Sequence, residues 1–320
     1  MDVRQLSAIV AIADHGTFSA AARALFTVQS NVSGHVARLE KELGTTLVDR
    51  SSGSLTDDGM RVVERARRVL NEIDDITSDV ASRHENVVGQ TRIGVIGTTA
   101  RWILPALLAH LAATHPNVRA VVQEGATSTL TPNVLGGELN AAIVHLPVDD
   151  DDFVVEPLFA EDLVVVVRDD HPLANRESVS LARLSDEPLL LPPSGAALRR
   201  VLDRAAAAHG VTLKPQAEID GVRLLASLAF DGFGSAIVPA TALPTWLTGP
   251  FRTIAVPDLP RRVVATVRRR RPGPNAPTFV TLEALHEVVR TQGEEQPGVH
   301  LEVRATGGDP ANGAPAPGTR

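Results

Sequence analysis

The sequence predicts an α/β protein whose N-terminal part is entirely helical. Three observations predict this fold class: two short helices joined by a tight turn before residue 44, a long helix with a regular apolar repeat, and strand and helix patterns that alternate from residue 91. A chain of 320 residues, 43 % of them apolar, is long enough for two or three domains that each bury a core. We therefore expect a small helical domain, a connecting helix and a larger α/β half.

The helical domain begins with three short helices. An apolar face over residues 3–15 predicts the first helix, which ends at Gly16. A second helix is expected at residues 20–25 with Ser19 as its N-cap, and a third at about residues 29–43. Because only a three-residue turn separates the last two, they form a candidate helix-turn-helix.

A hairpin and a long helix follow. Residues 45–55 have a hairpin pattern with a turn at residues 50–53, and Thr56 is the expected N-cap of a helix that reaches residue 80. Its apolar residues are spaced four and three apart: Val62, Ala66, Val69, Ile73, Ile76 and Val80. Such a narrow seam on a polar helix predicts that the segment dimerises the chain. The alternative is one surface helix packed on its own domain.

The remaining chain has an α/β pattern followed by a polar tail. Strands are predicted at residues 91–96, 118–124, 141–145, 163–168, 188–191, 216–219, 235–238 and 262–268. Helices between them indicate mostly parallel sheets, in two halves with a cleft between them. From residue 293 the chain is rich in Gly, Pro, Ala and charge, so we expect that tail to be disordered.

The net charge of −7 argues, by itself, against a nucleic-acid partner. The charge is unevenly distributed, however. Residues 1–68 have a net charge of +1, whereas residues 69–88 and residues 89–320 each have −4. The helical segment is therefore the one part of the chain that is not acidic.

Several classes of protein are excluded by composition and motifs. With no cysteine, the chain has no disulfide, zinc-thiolate site, iron–sulfur cluster or Cys nucleophile. No apolar run reaches the roughly 18 residues of a membrane span, and the N-terminus does not resemble a signal peptide, so we expect a soluble, cytoplasmic protein. The ten histidines form no metal-binding motif, and no nucleophile or phosphate-loop motif follows a strand. We expect neither an enzyme nor a bound metal or cofactor.

The third helix carries side chains that suit DNA. Gln makes bidentate contacts with adenine, Ser reaches bases or phosphates, and Arg binds guanine or phosphate. A glycine in mid-helix costs roughly 1 kcal/mol relative to alanine, and close approach of a DNA backbone would explain it. The candidate DNA-binding residues are Arg23, Gln29, Ser30, Asn31, Ser33, Gly34, His35, Arg38 and Arg50. Taken singly, each is also compatible with an ordinary solvated surface.

The order of these residues resembles one known family. The matching positions are Thr17 to Ala22, Leu25, Gln29 to Ser33, Arg38 to Glu40, Leu43, Gly44, Leu47, Asp49, Arg50, Leu55, Thr56 and Gly59. Weaker matches follow in order in the second half, among them Leu104-Pro105, His115-Pro116, Leu135 to Leu139, and Ile237 to Pro239. The chain is similar in these positions to the LysR-type transcriptional regulators.

The resemblance implies a winged helix-turn-helix domain, a dimerising linker helix and a two-subdomain effector domain like a periplasmic binding protein. It also implies homodimers that assemble into homotetramers on double-stranded promoter DNA and respond to a small molecule. The implied limits are 1–58 for the DNA-binding domain, 59–88 for the linker and 89–292 for the effector domain, with subdomain I at about 89–165 and 265–292 and subdomain II at about 166–264. Val28 departs from the serine that usually caps the recognition helix, so we expect Thr27 to cap it. Asn140 replaces a frequent Asp.

Three loops in the effector domain suit an anionic ligand. They follow strand ends, and the crevice of an open α/β sheet lies beyond those ends. Free N–H groups at helix starts, hydroxyl groups and a cation would bind a carboxylate. The candidate effector residues are Gly97, Thr98, Thr99, Arg101, Thr127, Ser128, Ser194 and Gly195. Plain helix capping is the alternative for each loop.

We interpret the chain as a sequence-specific DNA-binding regulator modulated by a small molecule, an organic acid or another anion. The alternative is a small-molecule binding or carrier protein that uses the same cleft. The run Arg268 to Arg271, with Arg261 and Arg262, resembles a nucleic-acid patch, but a strand end and a solvated loop are the favoured interpretation. Within this family, the lack of cysteine excludes a thiol-based peroxide sensor and favours a reversibly bound ligand.

Overall fold

The computed structural model describes residues 1–82, 86–148 and 150–302, and it confirms the predicted fold class. It contains an N-terminal helical domain, one long helix, and two β-sheets with helices packed on them. Within these residues, no helix is both long enough and apolar enough to cross a membrane.

Three helices form the N-terminal domain: α1 (Val3–His15), α2 (Phe18–Ala24) and α3 (Gln29–Leu43). Helix α3 has the predicted bounds. The apolar faces of the helices and of the following hairpin share one core, whose fully buried members include Ile9, Ile12, Val36, Leu39 and Leu47. This core fixes the angle between α2 and α3, so the helix-turn-helix is a rigid unit.

Two predicted helix caps are wrong. Thr17 rather than Ser19 caps α2, because its Oγ1 accepts a backbone N–H at 3.1 Å and the helix begins earlier than predicted. Helix α3 begins after Val28, which makes no side-chain cap, and Thr27 Oγ1 instead accepts from Asn31 Nδ2 at 2.9 Å. The N-cap is the residue that keeps an extended backbone next to the helix, and the turn gives that conformation to Thr17 and Val28.

The hairpin and the long helix are placed as predicted. Val48 and Leu55 form an antiparallel bridge. Thr56 caps α4 (Asp57–Ala81), with its Oγ1 accepting a backbone N–H at 3.0 Å. The helix ends at Ala81, short of the expected linker limit at residue 88.

The predicted seam of α4 is divided between two environments. Its first part packs inside the N-terminal domain, where Ala66 is buried and Val62 is half-buried. Farther along, Ile73 is half-buried, whereas three apolar side chains remain exposed at 44 %, 63 % and 72 %: Val69, Ile76 and Val80. Val62 and Ala66 therefore contribute to the domain's own core, and the exposed residues form the free part of the seam.

The α/β half contains two sheets. Its strands are β1 (Gly89–Val95), β2 (Val118–Glu124), β3 (Ala141–His145), β4 (Phe153–Glu161), β5 (Leu163–Arg168), β6 (Pro188–Leu191), β7 (Lys214–Glu218), β8 (Ser235–Pro239), β9 (Phe251–Ala255), β10 (Arg262–Arg269) and β11 (Val299–His300). Its helices are α5 (Gly97–Thr114), α6 (Thr127–Leu135), α7 (Leu181–Leu184), α8 (Ala197–Ala208), α9 (Val222–Phe230) and α10 (Ala276–Gln292). The first sheet has the order β11-β4-β10-β3-β1-β2, and the second has the order β7-β6-β8-β5-β9.

The prediction of mostly parallel sheets is wrong. Strands β1, β2 and β3 pair in parallel, as do β6, β7 and β8, but the other pairings are antiparallel. The chain crosses from the first sheet to the second at Asp162 and returns through residues 256–261, a few residues before the expected subdomain limits. The first strand after each crossing, β5 or β10, runs opposite to both of its neighbours, which makes each sheet mixed.

The prediction that the chain is disordered from residue 293 is wrong for residues 293–302. A single turn at Gly293–Glu295 leads into β11, which pairs with the end of β4. Val299 and Leu301 also pack against the core of the first subdomain. An edge strand of two residues has no periodicity that the sequence could reveal. The rest of the predicted tail, residues 303–320, lies outside the described residues.

A buried ion pair joins the two crossings. Glu161 ends β4 and is fully buried, and Arg262 begins β10 with its side chain 8 % exposed. Arg262 Nε donates to Glu161 Oε1 at 2.7 Å, and Arg262 Nη2 donates to Thr98 Oγ1 of α5 at 2.8 Å. Glu161 Oε2 accepts from the N–H and the hydroxyl of Thr241, at 3.2 and 2.6 Å. The network therefore ties together elements of both subdomains.

We expect Glu161→Ala to lower the free energy of unfolding by about 3–5 kcal/mol, because it leaves the Arg262 guanidinium buried without its carboxylate. Urea denaturation measures this loss. Glu287→Ala, which breaks an exposed pair with Arg290 one helical turn away, is the control and should change little. Equal effects of the two substitutions would contradict a special role for the buried pair.

Candidate DNA-binding surface and effector cleft

The first turn of α3 lies at the surface of the helical domain. Gln29, Ser30 and Asn31 are exposed there. Ser19 Oγ donates to Gln29 Oε1 at 3.0 Å, and Asn31 Nδ2 donates to Thr27 Oγ1 at 2.9 Å. These bonds fix the two amide side chains and leave the Gln29 amide N–H groups without a partner among the described residues, so they are available to a base edge.

The next two turns carry the other predicted residues of α3. Ser33, Gly34 and His35 are half-buried, and Arg38 is exposed with its Nη2 2.9 Å from His35 Nδ1. Arg23, on α2, is exposed and makes no ion pair with any residue that the structure describes. The predicted polar residues thus lie on consecutive turns of one helix, with a cation on the preceding helix.

Arg50 is a predicted DNA-binding residue, and within the protein it already has three partners. Its Nη1 donates to Ser33 Oγ at 3.1 Å, its Nη2 donates to Glu40 Oε2 at 2.9 Å, and its guanidinium lies 4.9 Å from the centre of the Phe18 ring. These contacts hold the hairpin against α2 and α3. Arg50 therefore positions α2, α3 and the hairpin relative to one another, and its side chain is still half-exposed.

Glu40 contributes to this surface, although it was not among the predicted DNA-binding residues. Its Oε1 accepts the backbone N–H groups of Leu47 and Val48 at 2.9 and 3.1 Å. Burial opposes ionisation, but these two bonds and the Arg50 guanidinium outweigh it and lower the pKa of the Glu40 carboxyl. The only sequence signal was its place in the family-like triplet that begins at Arg38.

Gly34 has no packing reason inside the protein. A Cβ atom at this position would meet only Arg38 Nη1, at an ordinary contact distance of 3.7 Å. The helix therefore loses stability from this glycine without an internal gain. Close approach of another molecule is the remaining physical reason for its small size.

A polar cluster around Asp75 binds α4 to the first subdomain. The carboxylate accepts from Asn275 Nδ2 at 2.7 Å and from Asn140 Nδ2 at 3.1 Å, and Arg92 lies nearby at 3.7 Å. Burial raises the pKa of the Asp75 carboxyl, although Arg92 and the amide donors act in the opposite direction. Asn140 also accepts the Arg92 backbone N–H at 2.8 Å, so this departure from the family pattern serves the linker contact.

The basic run at the end of β10 is largely engaged within the protein. Arg268 pairs with Glu156 at 3.5 Å, and Arg269 pairs with Glu72 of α4 at 2.8 Å. Arg270 donates to two backbone carbonyls. The prediction of a strand end and a solvated loop agrees with the structure, because Arg268 and Arg269 end β10 and Arg270 and Arg271 are exposed after it. Their partners also count against a nucleic-acid patch here.

A cavity of about 530 Å³ lies between the two subdomains. Three predicted effector residues line it: Gly97 and Thr98 at the start of α5, and Thr127 at the start of α6. Thr98 Oγ1 is occupied by Arg262, and Thr127 Oγ1 accepts the His145 N–H at 3.3 Å.

Five predicted effector residues lie outside the lining of this cavity: Thr99, Arg101, Ser128, Ser194 and Gly195. Thr99 is fully buried in the first subdomain, whereas the other four are exposed. Each helix residue is rotated by about 100° from the one before, so only the first positions of α5 and α6 face the cleft. From the third loop, Pro192 and Ala196 line the cavity instead.

The charged lining of the cavity was not predicted. Glu124, at the end of β2, and Arg223, on α9, form an ion pair of 2.6 Å between the two subdomains. Gly97 allows this contact, because a Cβ atom there would lie 2.6 Å from Glu124 Oε1 and 3.0 Å from Arg223 Nε. Asp220 adds a further carboxylate to the lining of the cavity.

His145 lines the cavity without adding charge at neutral pH. Burial lowers its pKa to about 4, and the positive charges of Arg262 and Arg200 act in the same direction. Since Arg262 is held by Glu161, the Arg223 guanidinium is the half-exposed cation of the cleft.

Two family models match almost the whole chain. The bacterial regulatory helix-turn-helix family of the lysR type matches residues 3–60, and the LysR substrate-binding domain matches residues 84–293. The chain belongs to the LysR family of transcriptional regulators. The resemblance seen in the sequence is thereby confirmed. The protein is a DNA-binding transcriptional regulator with an effector-binding domain.

Relatives and solved structures agree with this assignment. The regulator OxyR of Escherichia coli K12 is 30 % identical over 296 residues, which cover 91 % of this chain and 96 % of that protein. Full-length OxyR of Pseudomonas aeruginosa, with a cysteine replaced by aspartate, has a TM-score of 0.68 at 25 % identity and covers 91 % and 98 % of the two chains. CbnR bound to its target DNA has a TM-score of 0.68 at 23 % identity, covers 91 % and 99 %, and shows the shared fold. A carrier protein would leave residues 3–60 without a role.

We expect Gly34→Ala to stabilise the helical domain by up to about 1 kcal/mol and to weaken DNA binding about tenfold. Alanine fits α3, but its methyl group occupies the space that a DNA backbone would need. Thermal denaturation and fluorescence anisotropy with operator DNA measure the two effects on one preparation. Because the effects have opposite signs, a folding defect cannot imitate them. Unchanged affinity would mean that DNA does not approach Gly34.

Proposed function

We propose that this regulator recognises promoter DNA through α3 as an oligomer and is controlled by an organic acid or another anion bound in the cleft. The observation that carries the effector proposal is the ion pair between Glu124 and Arg223 over the start of α5. Because its target is promoter DNA, we place the protein in the cytoplasm.

The proposed DNA contacts follow from the exposed polar groups of α3. Gln29, Ser30, Ser33 and His35 would contact base edges in the major groove, and Asn31 and Arg38 would support them. Arg23 would bind phosphate from α2, and Arg50 would order the hairpin and place its half-exposed guanidinium beside the DNA. The helical segment has a net charge near zero, so we expect modest affinity for random DNA.

We propose that the exposed part of the α4 seam pairs two subunits. Val69, Ile76 and Val80 are spaced seven and four residues apart, which places them on one stripe of the helix. A homodimer formed through this stripe presents two copies of α3, and two such dimers would make the homotetramer. Two-site binding would supply affinity that the weakly charged helical domain lacks.

We propose that Glu124 occupies the place of an anionic ligand. Its carboxylate lies 2.6 Å from Arg223 and next to Gly97, where the free N–H groups at the start of α5 favour negative charge. A ligand carboxylate that binds Arg223 would displace Glu124 and replace the direct contact between subdomains. An effector of this kind shifts the cleft only if it binds the open and closed forms with different affinity.

We propose a signal other than thiol oxidation. Several relatives are named hydrogen peroxide-inducible genes activators, among them one from Mycobacterium avium that is 35 % identical over 248 residues. This chain has no cysteine, and its only sulfur atoms are those of Met1 and Met60. A reversibly bound anion is therefore the signal that the cleft supports.

The DNA proposal predicts preference for the intergenic DNA upstream of the protein's own gene over random DNA at about 0.15 M salt. Gln29→Ala should cut that preference by about 1–3 kcal/mol, the value of one bidentate base contact, in fluorescence anisotropy across salt concentrations. Gln216→Ala, an exposed glutamine in the second sheet, is the matched control. Equal affinity for both DNAs would contradict the proposal.

The oligomer is tested by sedimentation velocity together with the same DNA-binding assay. Ile76→Asp should dissociate the dimer in sedimentation velocity and weaken operator binding, because it places a charge in the exposed seam. An unchanged sedimentation coefficient would show that the stripe does not pair subunits.

The effector proposal predicts opposite effects of two cleft substitutions. Organic acids are first screened by thermal shift, since a ligand of the native state raises its stability. In calorimetry, the Glu124→Gln protein should bind the acid with the largest thermal shift about tenfold more tightly than the wild type does, because the competing carboxylate is gone. Arg223→Gln should lose binding.

Controls separate this mechanism from general charge effects. Glu156→Gln neutralises a carboxylate of similar exposure that pairs with Arg268 outside the cleft, so it should bind the acid like the wild type. Hydrogen peroxide should leave DNA affinity unchanged in the wild type and in Met60→Leu. A loss of affinity on peroxide treatment, or equal acid binding by all variants, would contradict the proposal.

A further inference from the structure

A second cavity, of about 780 Å³, adjoins the effector cleft. It extends along α8 and is closed by the end of β3, the start of β5 and the connection from β9 to β10. Because β3 and β10 belong to the first sheet and β5 and α8 to the second subdomain, this cavity also spans both subdomains. Its volume lies within the range of small-molecule sites in proteins.

The two cavities share a wall but have different linings. Four residues border both of them: His145, Ala197, Leu198 and Arg262. The cleft then continues over the starts of α5, α6 and α9, whereas the second cavity continues along the full length of α8. A ligand in the second cavity would therefore contact a set of residues that the effector in the cleft does not.

The second cavity has an apolar body. One side is the face of α8 formed by Leu198, Val201, Ala205 and Ala208. The opposite side is formed by apolar residues from the other elements: Leu146, Pro147, Leu163, Pro257, Leu259, Pro260 and Val263. A face of this kind binds an aromatic or aliphatic body by removing it from water.

The charges around the second cavity favour one anionic group. Arg204 of α8 makes no ion pair with any residue that the structure describes. Arg261 and Arg262 are paired with Asp162 and Glu161. The one carboxylate in the lining, Asp258, accepts the Leu181 N–H at 2.8 Å and lies 3.9 Å from His209. The half-buried His145 is neutral at pH 7.

We propose that this cavity is a second ligand site, which takes an amphipathic monocarboxylate with an aromatic or medium-length aliphatic body. The body packs along α8, and the carboxylate pairs with Arg204 at the open end. The site is distinct from the cleft, whose cation is Arg223 and whose lining continues over the starts of α5, α6 and α9. The proposal does not depend on the identity of the effector in the cleft.

The absence of cysteine gives a direct test. Val201→Cys places one thiol in the second cavity, and Ala126→Cys places one in the cleft as the matched control. The probe is 2-naphthoate, and the readout is the rate of alkylation by N-ethylmaleimide. We expect saturating 2-naphthoate to slow labelling of the Val201→Cys protein at least fivefold and to leave the Ala126→Cys protein unchanged.

A second set of variants tests the ligand class. In calorimetry, Arg204→Gln should weaken 2-naphthoate binding about tenfold, and the neutral 2-naphthamide should bind wild type and Arg204→Gln alike. Arg223→Gln should bind 2-naphthoate like wild type. Arg204 is exposed at the edge of the cavity, so its replacement does not disturb a core.

Three results would overturn the proposal. These are no binding of 2-naphthoate at millimolar concentration, protection of the Ala126→Cys protein instead of the Val201→Cys protein, and binding that is unaffected by Arg204→Gln. Failure of the effector proposal is a different result, in which the acid selected by thermal shift does not protect the Ala126→Cys protein.

Discussion

The ion pair between Glu161 and Arg262 is the interaction on which the arrangement of the effector domain depends. The two residues stand where the chain leaves the first sheet and where it returns, and both are buried. Separating the pair would leave a buried charge without its partner, which is energetically costly. The pair therefore holds the two crossings next to each other. The same arginine bonds Thr98 at the start of α5, and the same glutamate bonds Thr241 in the second subdomain. Both cavities between the subdomains therefore border one fixed point, the Arg262 side chain.

From this fixed point a series of apolar and polar contacts leads to the DNA-binding domain. Helix α5 packs with β1 and α10 in the first subdomain, and that subdomain holds the linker helix through Asp75 and Glu72. At its other end the linker buries Val63 and Ala66 in the core of the helical domain, and Arg67 pairs with Asp14 of α1. A change in the cleft that moves the first subdomain would move α4 and therefore α3. The helical domain has its own rigid support, because Glu40 and Arg50 tie α3 to the hairpin and to Phe18.

Local features were predicted well, and features formed between distant residues were not. The bounds of α3, the cap at Thr56 and the hairpin depend on spacing and on side chains a few residues apart, which the sequence displays directly. The caps at Thr17 and Val28 depend on turn geometry, and β11 depends on a partner strand more than a hundred residues earlier. In the cleft, Gly97, Thr98 and Thr127 were predicted correctly, because small and hydroxyl residues at the start of a helix are visible in the sequence. Glu124 and Arg223 carry no local signal, since each is an ordinary charged residue until the other lies beside it.

The sequence by itself determined the family, the helical and α/β parts, the helix-turn-helix, and the exclusion of thiol chemistry. These follow from residue identity and short-range spacing, which do not change on folding. Only the tertiary structure decided which of the many charged residues are available to partners. Arg50, Arg262 and Arg269 are engaged, whereas Arg23 and Arg204 make no ion pair among the described residues. The physical reason is that Coulomb attraction and desolvation depend on distance in space, and the crossings between the sheets bring together charges that lie 99 or more positions apart.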